Sequence, residues 1–397
     1  MSGAGLVVLA VVAAGVGYGL AWLSGFFGNL APAVMLGIPL VPLAGVAAFS
    51  LPWVGVALVF LSIPVGDSSV PLLPLELVQL LMVAVVALVV LRRAGEGTSL
   101  LPWSAPLWWF LALAAWSLVA LPSAPDSALA VRQTALVAGE LAFVCTVMAV
   151  CATPRHVRLL MGVLTVVGVV VAITAFGGTG EVKAGYGGAY VAGRAQGVFN
   201  QPNQLGAFCA AGLLVAVGLV MGARSRTGRW LAGGAATLIT MGLLMSLSRG
   251  AWIGVALALA VLLVMLPEAR RALVGVGVPL LVLAVTIGAF APSSPQVRVV
   301  GERASSIVGQ RNPYDDRPAI WEEARRQVRA DPLTGQGPGS FPVVSGQATS
   351  ETGTAFADHA HNILLTVAAE TGLPAAAFFV GLVVHVGAVA RRAARRA

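Results

Sequence analysis

The sequence predicts an all-α integral membrane protein with about twelve transmembrane helices and a large, partly helical external loop. Of the 397 residues, 58% are hydrophobic and 10% are charged, whereas a soluble domain carries about 25% charged residues. The mean hydropathy is +0.90. Apolar runs near the roughly 20 residues that cross a bilayer recur along almost the whole chain. Because the runs are continuous, without alternation of apolar and polar residues, they indicate helices and not the strands of a barrel.

Twelve segments have the length and apolar character of a membrane-spanning helix. They are residues 5–23, 27–44, 46–63, 74–92, 104–121, 128–151, 157–176, 205–222, 229–247, 250–266, 272–291 and 373–391. Prolines interrupt the second and third. No basic residue precedes the first, so we expect it to be a retained span and not a removed signal peptide.

The arginines predict the orientation, because basic residues are enriched in cytoplasmic loops. If the C-terminal tail is cytoplasmic, an even number of spans puts the N-terminus on the same side. Every short basic loop then lies on that side; these loops hold Arg92 and Arg93, Arg155 and Arg158, Arg224 to Arg229, and Arg270 and Arg271. This placement accounts for much of the net charge of +8 without a nucleic acid partner.

Two long segments remain on the outside, a glycine-rich first external loop at about 177–204 and a large external loop at about 292–358. Long polar loops often carry function. Within the larger one, residues 317–330 predict an amphipathic helix, with Pro318 in its first turn and Asp331-Pro332 ending it. Its apolar stripe is Ile320, Trp321, Ala324 and Val328.

Several familiar site types are not indicated. Cys145, Cys151 and Cys209 lie in or beside apolar runs, and their spacing fits neither a zinc site nor a disulfide framework. Gly335 to Phe341 is rich in glycine, but no GK[ST] follows it, so we expect a turn and not a nucleotide site. We expect no metal and no cofactor.

The strongest candidate for chemistry is His359-Ala360-His361-Asn362, which follows the large loop and holds two of the four histidines. A neutral imidazole at His361 can take a proton from an attacking hydroxyl. His359 is either its support or merely exposed. We interpret His156 and His385 as structural.

Two arginines are candidate anion ligands, because a guanidinium stays charged and binds phosphate oxygens in a bidentate manner. Arg249 lies in the tight outer turn Ser248-Arg249-Gly250; the alternative is an interfacial anchor beside Trp252. Arg317 begins the loop helix; the alternative is a salt bridge with Glu322 or a neighbouring aspartate.

Arg194 and Arg132 are further candidates. Arg194 precedes Asn200, Gln201, Asn203 and Gln204, which could hydrogen-bond a sugar, although Asn203 could equally cap the next helix. Arg132 and Glu140 fall inside the sixth span, where ionisable groups usually face a cavity or a partner. Arg132, near the outer end, could reach a phosphate or could snorkel to the interface.

From Arg194 to Leu373, the chain resembles the O-antigen ligase and polymerase superfamily of bacterial envelope glycosyltransferases. The resemblance rests on the order of five elements. These are Arg-x-x-Gly-x-Phe-x-x-Pro-Asn at 194–203, Ser-Arg-Gly at 248–250, Arg-x-x-x-Trp at 317–321, Pro-x-x-Gly-x-Gly at 332–337 and His-Asn-x9-Gly at 361–372.

The resemblance implies transfer of a glycan from an undecaprenyl diphosphate carrier to an acceptor hydroxyl on the periplasmic face of the cytoplasmic membrane. For a ligase, the acceptor is the core sugar of lipid A. Carried onto this chain, His361 would be the base, Arg249 and Arg317 would hold the diphosphate, and Arg194 would be a lesser candidate. Arg132 lies outside the resembling range and is a candidate from its position alone. His359, Asn362, Trp321 and Glu370 would support the site. A single base opposite the leaving group predicts inversion at the anomeric carbon.

Three functions remain open from the sequence. The first is the ligase. The second is a polysaccharide polymerase or a protein O-oligosaccharyltransferase of the same superfamily. The third is a lipid-linked glycan transporter without catalysis. Two observations disfavour it: the candidate groups cluster on the outer face, and no internal repeat is visible.

Overall fold

The computed structural model of the protein describes residues 45–65, 76–99, 104–177, 179–183, 190–199, 201–266, 317–352 and 359–394, together with a few isolated positions. The predicted helices at 5–23 and 27–44, and nearly all of the one at 272–291, lie outside the described residues. The total of twelve spans therefore stays a prediction.

Eleven α-helices and one β-hairpin have both their ends within the described residues; residues 45–50 are helical as well. Up to the hairpin, the helices are α1 (Pro52–Ser62), α2 (Leu77–Gly95), α3 (Ala105–Val119), α4 (Ser127–Val150) and α5 (Pro154–Thr174). The hairpin is β1 (Thr179–Lys183) and β2 (Tyr190–Ala195). The remaining helices are α6 (Pro202–Gly222), α7 (Arg226–Met245), α8 (Arg249–Met265), α9 (Arg317–Ala330), α10 (Phe341–Thr352) and α11 (Ile363–Ala394).

Many helices begin where the sequence offers a start signal. Asp126, Thr153 and Ser225 each accept a hydrogen bond from a backbone N–H in the first turn of α4, α5 and α7. A side chain in this position satisfies a donor that the helix itself leaves unpaired. Proline stands at the first position of α1, α5 and α6, where its missing N–H costs nothing.

The largest core lies where α5, α6, α7 and α8 pack together. Small residues let their backbones approach closely: a Cβ on Gly242 of α7 would come within 2.9 Å of Ala172 on α5, and one on Gly212 of α6 would lie 3.9 Å from the Cα of Gly168 on α5. Such contacts are typical of membrane helices, because helix association in lipid depends on close van der Waals packing.

Helices α3 and α11 are antiparallel neighbours. Near the end of α3, Trp116 donates its indole N–H to the carbonyl of Thr371, at 3.1 Å. Near the start of α3, Trp109 donates to Nδ1 of His385 at 3.0 Å, well along α11. The end of α3 and the start of α11 therefore lie at the same end of the bundle.

Among the described residues, five helices are long and apolar enough to cross a membrane, namely α2, α4, α5, α6 and α11. Helices α1, α3 and α8 are apolar but shorter. The protein is thus a helical membrane protein. The basic pairs Arg92–Arg93 and Arg391–Arg392 lie in the last turns of α2 and α11.

Three features differ from the predictions. The first external loop contains the antiparallel hairpin β1–β2, with Gly180 opposite Arg194, which a glycine-rich segment did not suggest. The large loop contains a second helix, α10. The last helix begins at Ile363, ten residues before the predicted start, and is interrupted at Gly372, which has φ +84° and ψ 170°.

Candidate active site

Asn362 fixes the His359–His361 segment at the start of α11. Its side-chain oxygen accepts hydrogen bonds from the backbone N–H groups of Leu364 and Leu365, at 3.1 and 3.3 Å. In the same turn, the hydroxyl of Thr366 accepts from the backbone N–H of Ala360 at 3.2 Å. Asn362 is therefore the N-cap of α11.

His361 has an unusual backbone conformation. Its φ is +50°, in the left-handed region that residues other than glycine seldom occupy. Its ring lies 4.3 Å from that of His359, between centroids, at an interplanar angle of 61°. His361 is half-buried and His359 is exposed, so the segment presents both imidazoles at the surface of this end of the bundle.

Helix α9 packs directly on this segment. The indole N–H of Trp321 donates to the carbonyl oxygen of Ala360 at 3.0 Å. Arg317 precedes Trp321 by four residues, so the two lie on the same face of the helix. The buried apolar cluster below them consists of Ile320, Ala324, Phe341, Ala357, Ala360 and Ala369. Arg317 and His361 are thus brought to one part of the structure.

The solvent face of α9 carries its own ion pairs. Glu322 pairs with Arg325 at 2.7 Å and with Arg329 at 3.4 Å. The hydrogen bond and the charge of Arg325 lower the pKa of Glu322. Glu323 is only 3% exposed and accepts from Arg326 and Gln327, each at 2.8 Å. The apolar stripe predicted the burial of Ile320 and Ala324 but not that of Glu323 and Gln327.

Residues 331–340 form turns that pack on the interruption of α11. The sequence predicted a turn from Gly335 to Phe341, and Phe341 already belongs to α10. The N–H of Leu373 donates to the carbonyl of Pro332 at 2.9 Å, and that of Gln336 donates to the carbonyl of Ala369 at 2.8 Å. A Cβ on Gly372 would collide with the carbonyl of Leu333. Glycine at 372 therefore allows the turn to approach the helix.

Glu370 joins the same turn to α10. Its two carboxylate oxygens accept from the backbone N–H groups of Gly339 and Phe341, at 3.0 and 3.3 Å. Phe341 is the first residue of α10, where the exposed N–H groups and the helix dipole favour a negative charge. Glu370 thus fixes the path of the chain between α9 and α11.

Arg249 begins α8 after a tight turn. Leu247, in the turn Ser246-Leu247-Ser248, has φ +50° and is 1% exposed. Trp252 donates its indole N–H to the carbonyl of Leu243 at 3.0 Å. Trp252 therefore closes the junction of α7 and α8.

Arg194 lies behind this turn and is 5% exposed. Its Nε donates to the carbonyl of Ser246 at 3.1 Å, and its Nη2 donates to the side-chain oxygen of Asn203 at 3.0 Å. The N-cap position of α6 is Gln201 and not Asn203. Of the two interpretations of Asn203, capping is therefore wrong, and the residue holds Arg194.

Arg132 is exposed on the second turn of α4. Its neighbour Gln133 lies against the turn at Gly339, where an added Cβ would be 3.2 Å from Cβ of Gln133. This places Arg132 at the same end of the bundle as His361. Glu140 lies two turns further along α4, toward the other end.

The candidate residues thus form two groups at one end of the helices. Arg317, Trp321, His359, His361 and Asn362 are linked through α9 and the start of α11, and Arg194 and Arg249 are linked through the α7–α8 turn. Their placement follows from the helix directions: α4, α6, α8 and α11 begin at this end, and α3, α5 and α7 finish there.

The fold and this arrangement define an integral membrane protein whose polar candidate groups lie at one end of its helices. A family model described as O-antigen ligase matches residues 233–380. The match supports membership of the O-antigen ligase/polymerase superfamily and confirms the resemblance found in the sequence. The matched range contains Arg249, Arg317 and His361 and begins after Arg132 and Arg194. No curated protein matches the chain significantly.

Proposed function

We propose that the protein is a metal-independent, inverting glycosyltransferase of the O-antigen ligase type. It takes a glycan from undecaprenyl diphosphate on the periplasmic face of the cytoplasmic membrane and transfers it to a hydroxyl of lipid A–core. Members of the superfamily are glycosyltransferase-like ligases or polymerases, which supports an enzymatic function.

The observation that carries this proposal is the hydrogen bond from Trp321 to Ala360. It fixes the helix that begins with Arg317 against the residue that precedes His361. The hydrogen bond thereby holds Arg317, the proposed anion ligand, and His361, the proposed base, in the same part of the structure. The left-handed backbone of His361 adds to this, because such strained residues concentrate at functional sites.

The proposed chemistry needs one proton acceptor and a stabilised leaving group. Nε2 or Nδ1 of His361 takes the proton of the acceptor hydroxyl as its oxygen forms a bond to the anomeric carbon. The bond from that carbon to the phosphate oxygen breaks, and undecaprenyl diphosphate leaves with the bonding electrons. Arg249, Arg317 and Arg132 stabilise the negative charge that develops on it.

Purified protein, glycan-linked undecaprenyl diphosphate and lipid A–core test the proposal, with and without EDTA. His361→Ala should lose turnover by about 10²–10⁴-fold, the usual contribution of a general base, and should still bind donor. Arg249→Ala and Arg317→Ala should weaken donor binding, because each removes a phosphate ligand. EDTA should have no effect.

Two variants serve as matched controls. Arg325→Ala removes an exposed arginine from α9, and His156→Ala removes a histidine from the opposite end of the bundle; both variants should remain active. Full activity of His361→Ala would contradict the base assignment. Products that grow stepwise on the carrier, with no transfer to lipid A–core, would identify a polymerase.

A further inference from the structure

We infer that Arg194 is a positioning residue, which holds the Ser246–Ser248 turn and thereby sets the place of Arg249, and is not itself a ligand of the donor. This inference deepens the proposed function and depends on it for the role of Arg249. The sequence placed Arg194 among the diphosphate ligands; its contacts favour a different role.

The turn that precedes Arg249 needs external support. Leu247 adopts φ +50°, a conformation that is unfavourable for an L-residue because its Cβ approaches the following carbonyl oxygen. Two local contacts oppose this cost. The hydroxyl of Ser246 donates to the carbonyl of Leu243 at 2.7 Å and accepts from the N–H of Ser248 at 3.2 Å.

Arg194 supplies a contact from outside the turn. Its Nε–H binds the carbonyl oxygen of Ser246 at 3.1 Å, and its Nη2 binds Asn203 in the first turn of α6 at 3.0 Å. One planar guanidinium therefore bridges the end of α7 and the start of α6. A lysine ammonium lacks this fork and cannot reproduce both directed bonds.

Helix α6 closes the turn from the other side. A Cβ on Gly206 would lie 2.8 Å from both the hydroxyl oxygen of Ser246 and the Cβ of Ser248. The turn is thus enclosed between Arg194 and the backbone of α6. Since Arg249 directly follows Ser248, movement of the turn moves the backbone that carries Arg249.

The first test measures the turn without any substrate. Ser248→Cys is a near-isosteric reporter at a residue that is 6% exposed, placed in a Cys151→Ala background. Arg194→Lys should raise its reaction rate with a maleimide roughly tenfold, because losing a hydrogen bond from a charged donor increases the locally open population. Arg229→Lys, at the far end of α7, is the control and should leave the rate unchanged.

Asn203→Ala is a milder variant that removes only one of the two directed contacts. It should give an intermediate rate, which keeps the test informative should Arg194→Lys fold poorly. An unchanged rate in both variants would overturn the inference. Because no donor is present, this result does not depend on the proposed enzymatic activity.

The second test measures donor binding in a double-mutant cycle. If Arg194 acts through Arg249, Arg194→Lys should weaken donor binding in the wild type and cause no further loss in Arg249→Ala. A further loss in the Arg249→Ala background would mean that Arg194 contacts the donor, and would overturn the inference. If Arg249→Ala alone leaves donor binding unchanged, the proposed role of Arg249 is wrong, while the labelling result still stands.

Discussion

Gly372 is the residue whose substitution should have the largest structural effect. Its φ of +84° and ψ of 170° fall in a region that is essentially restricted to glycine, and a Cβ there would collide with the carbonyl of Leu333. Gly372→Ala should therefore lower stability by about 2–4 kcal/mol, from backbone strain and overpacking together.

The thermal unfolding midpoint of the detergent-solubilised protein measures this effect. Gly387→Ala is the matched control, since it lies on the same helix and a Cβ there meets nothing within 4 Å. The control should be neutral or slightly stabilising, because alanine is the better helix former. Equal midpoints for the two variants would contradict the assigned role of Gly372.

The backbone conformation of single residues shows which features of the site the sequence can predict and which it cannot. His361 and Leu247 are the non-glycine residues with positive φ among those the structure describes. The sequence could identify His361 as a candidate from its chemistry and its neighbouring residues, but it could not predict the backbone conformation of His361. Leu247 has no chemical feature that would indicate its role, because its strain is supported by residues distant in sequence, among them Arg194, 52 residues from Ser246.

Between elements, the hydrogen bond from Trp321 on α9 to Ala360 before α11 is the contact with the clearest functional consequence. Trp321→Phe keeps an aromatic ring in place but removes the N–H donor. The expected result is a decrease in kcat of about 2- to 10-fold, the effect of losing one hydrogen bond, with donor binding unchanged, because the His361 segment loosens while the arginines remain.

Steady-state and binding measurements on this variant check the prediction. Trp230→Phe is the control; it makes the same change at a side chain that is 66% exposed near the start of α7, and it should behave as wild type. A decrease in donor affinity with unchanged kcat would contradict the positioning role of Trp321.

Among the elements, α9 could be predicted from the sequence and the start of α11 could not. The amphipathic pattern and the flanking prolines gave the bounds of α9, Arg317–Ala330, as the structure has them. The first turns of α11 have a lower hydropathy because they contain the polar Thr366 and Glu370, and Gly372 and Pro374 follow. The hydropathy pattern therefore did not indicate these turns. The packing of the turn 331–340 on Gly372 stabilises this helix across its interruption, which is a tertiary effect.

At the scale of the whole molecule, the two ends of the bundle differ in their chemistry. His361, Arg317, Arg249 and Arg132 lie at one end, and the arginine pairs of α2 and α11 lie at the other. Since basic residues are retained on the cytoplasmic side, the candidate site is predicted to face the periplasm. An undecaprenyl diphosphate donor requires this side, so the topology bears directly on the proposed function.

Cysteine labelling in whole cells tests the orientation. Leu333→Cys lies in the turn beside the candidate site and is 65% exposed; Thr98→Cys follows α2 at the opposite end and is also exposed. In a Cys151→Ala background, a membrane-impermeant maleimide that reaches the periplasm should label Leu333→Cys in intact cells and Thr98→Cys only after the cytoplasmic membrane is permeabilised. The two remaining cysteines are buried and should react slowly. The reverse pattern would place the site in the cytoplasm, where it could not meet a carrier-linked glycan that is already outside.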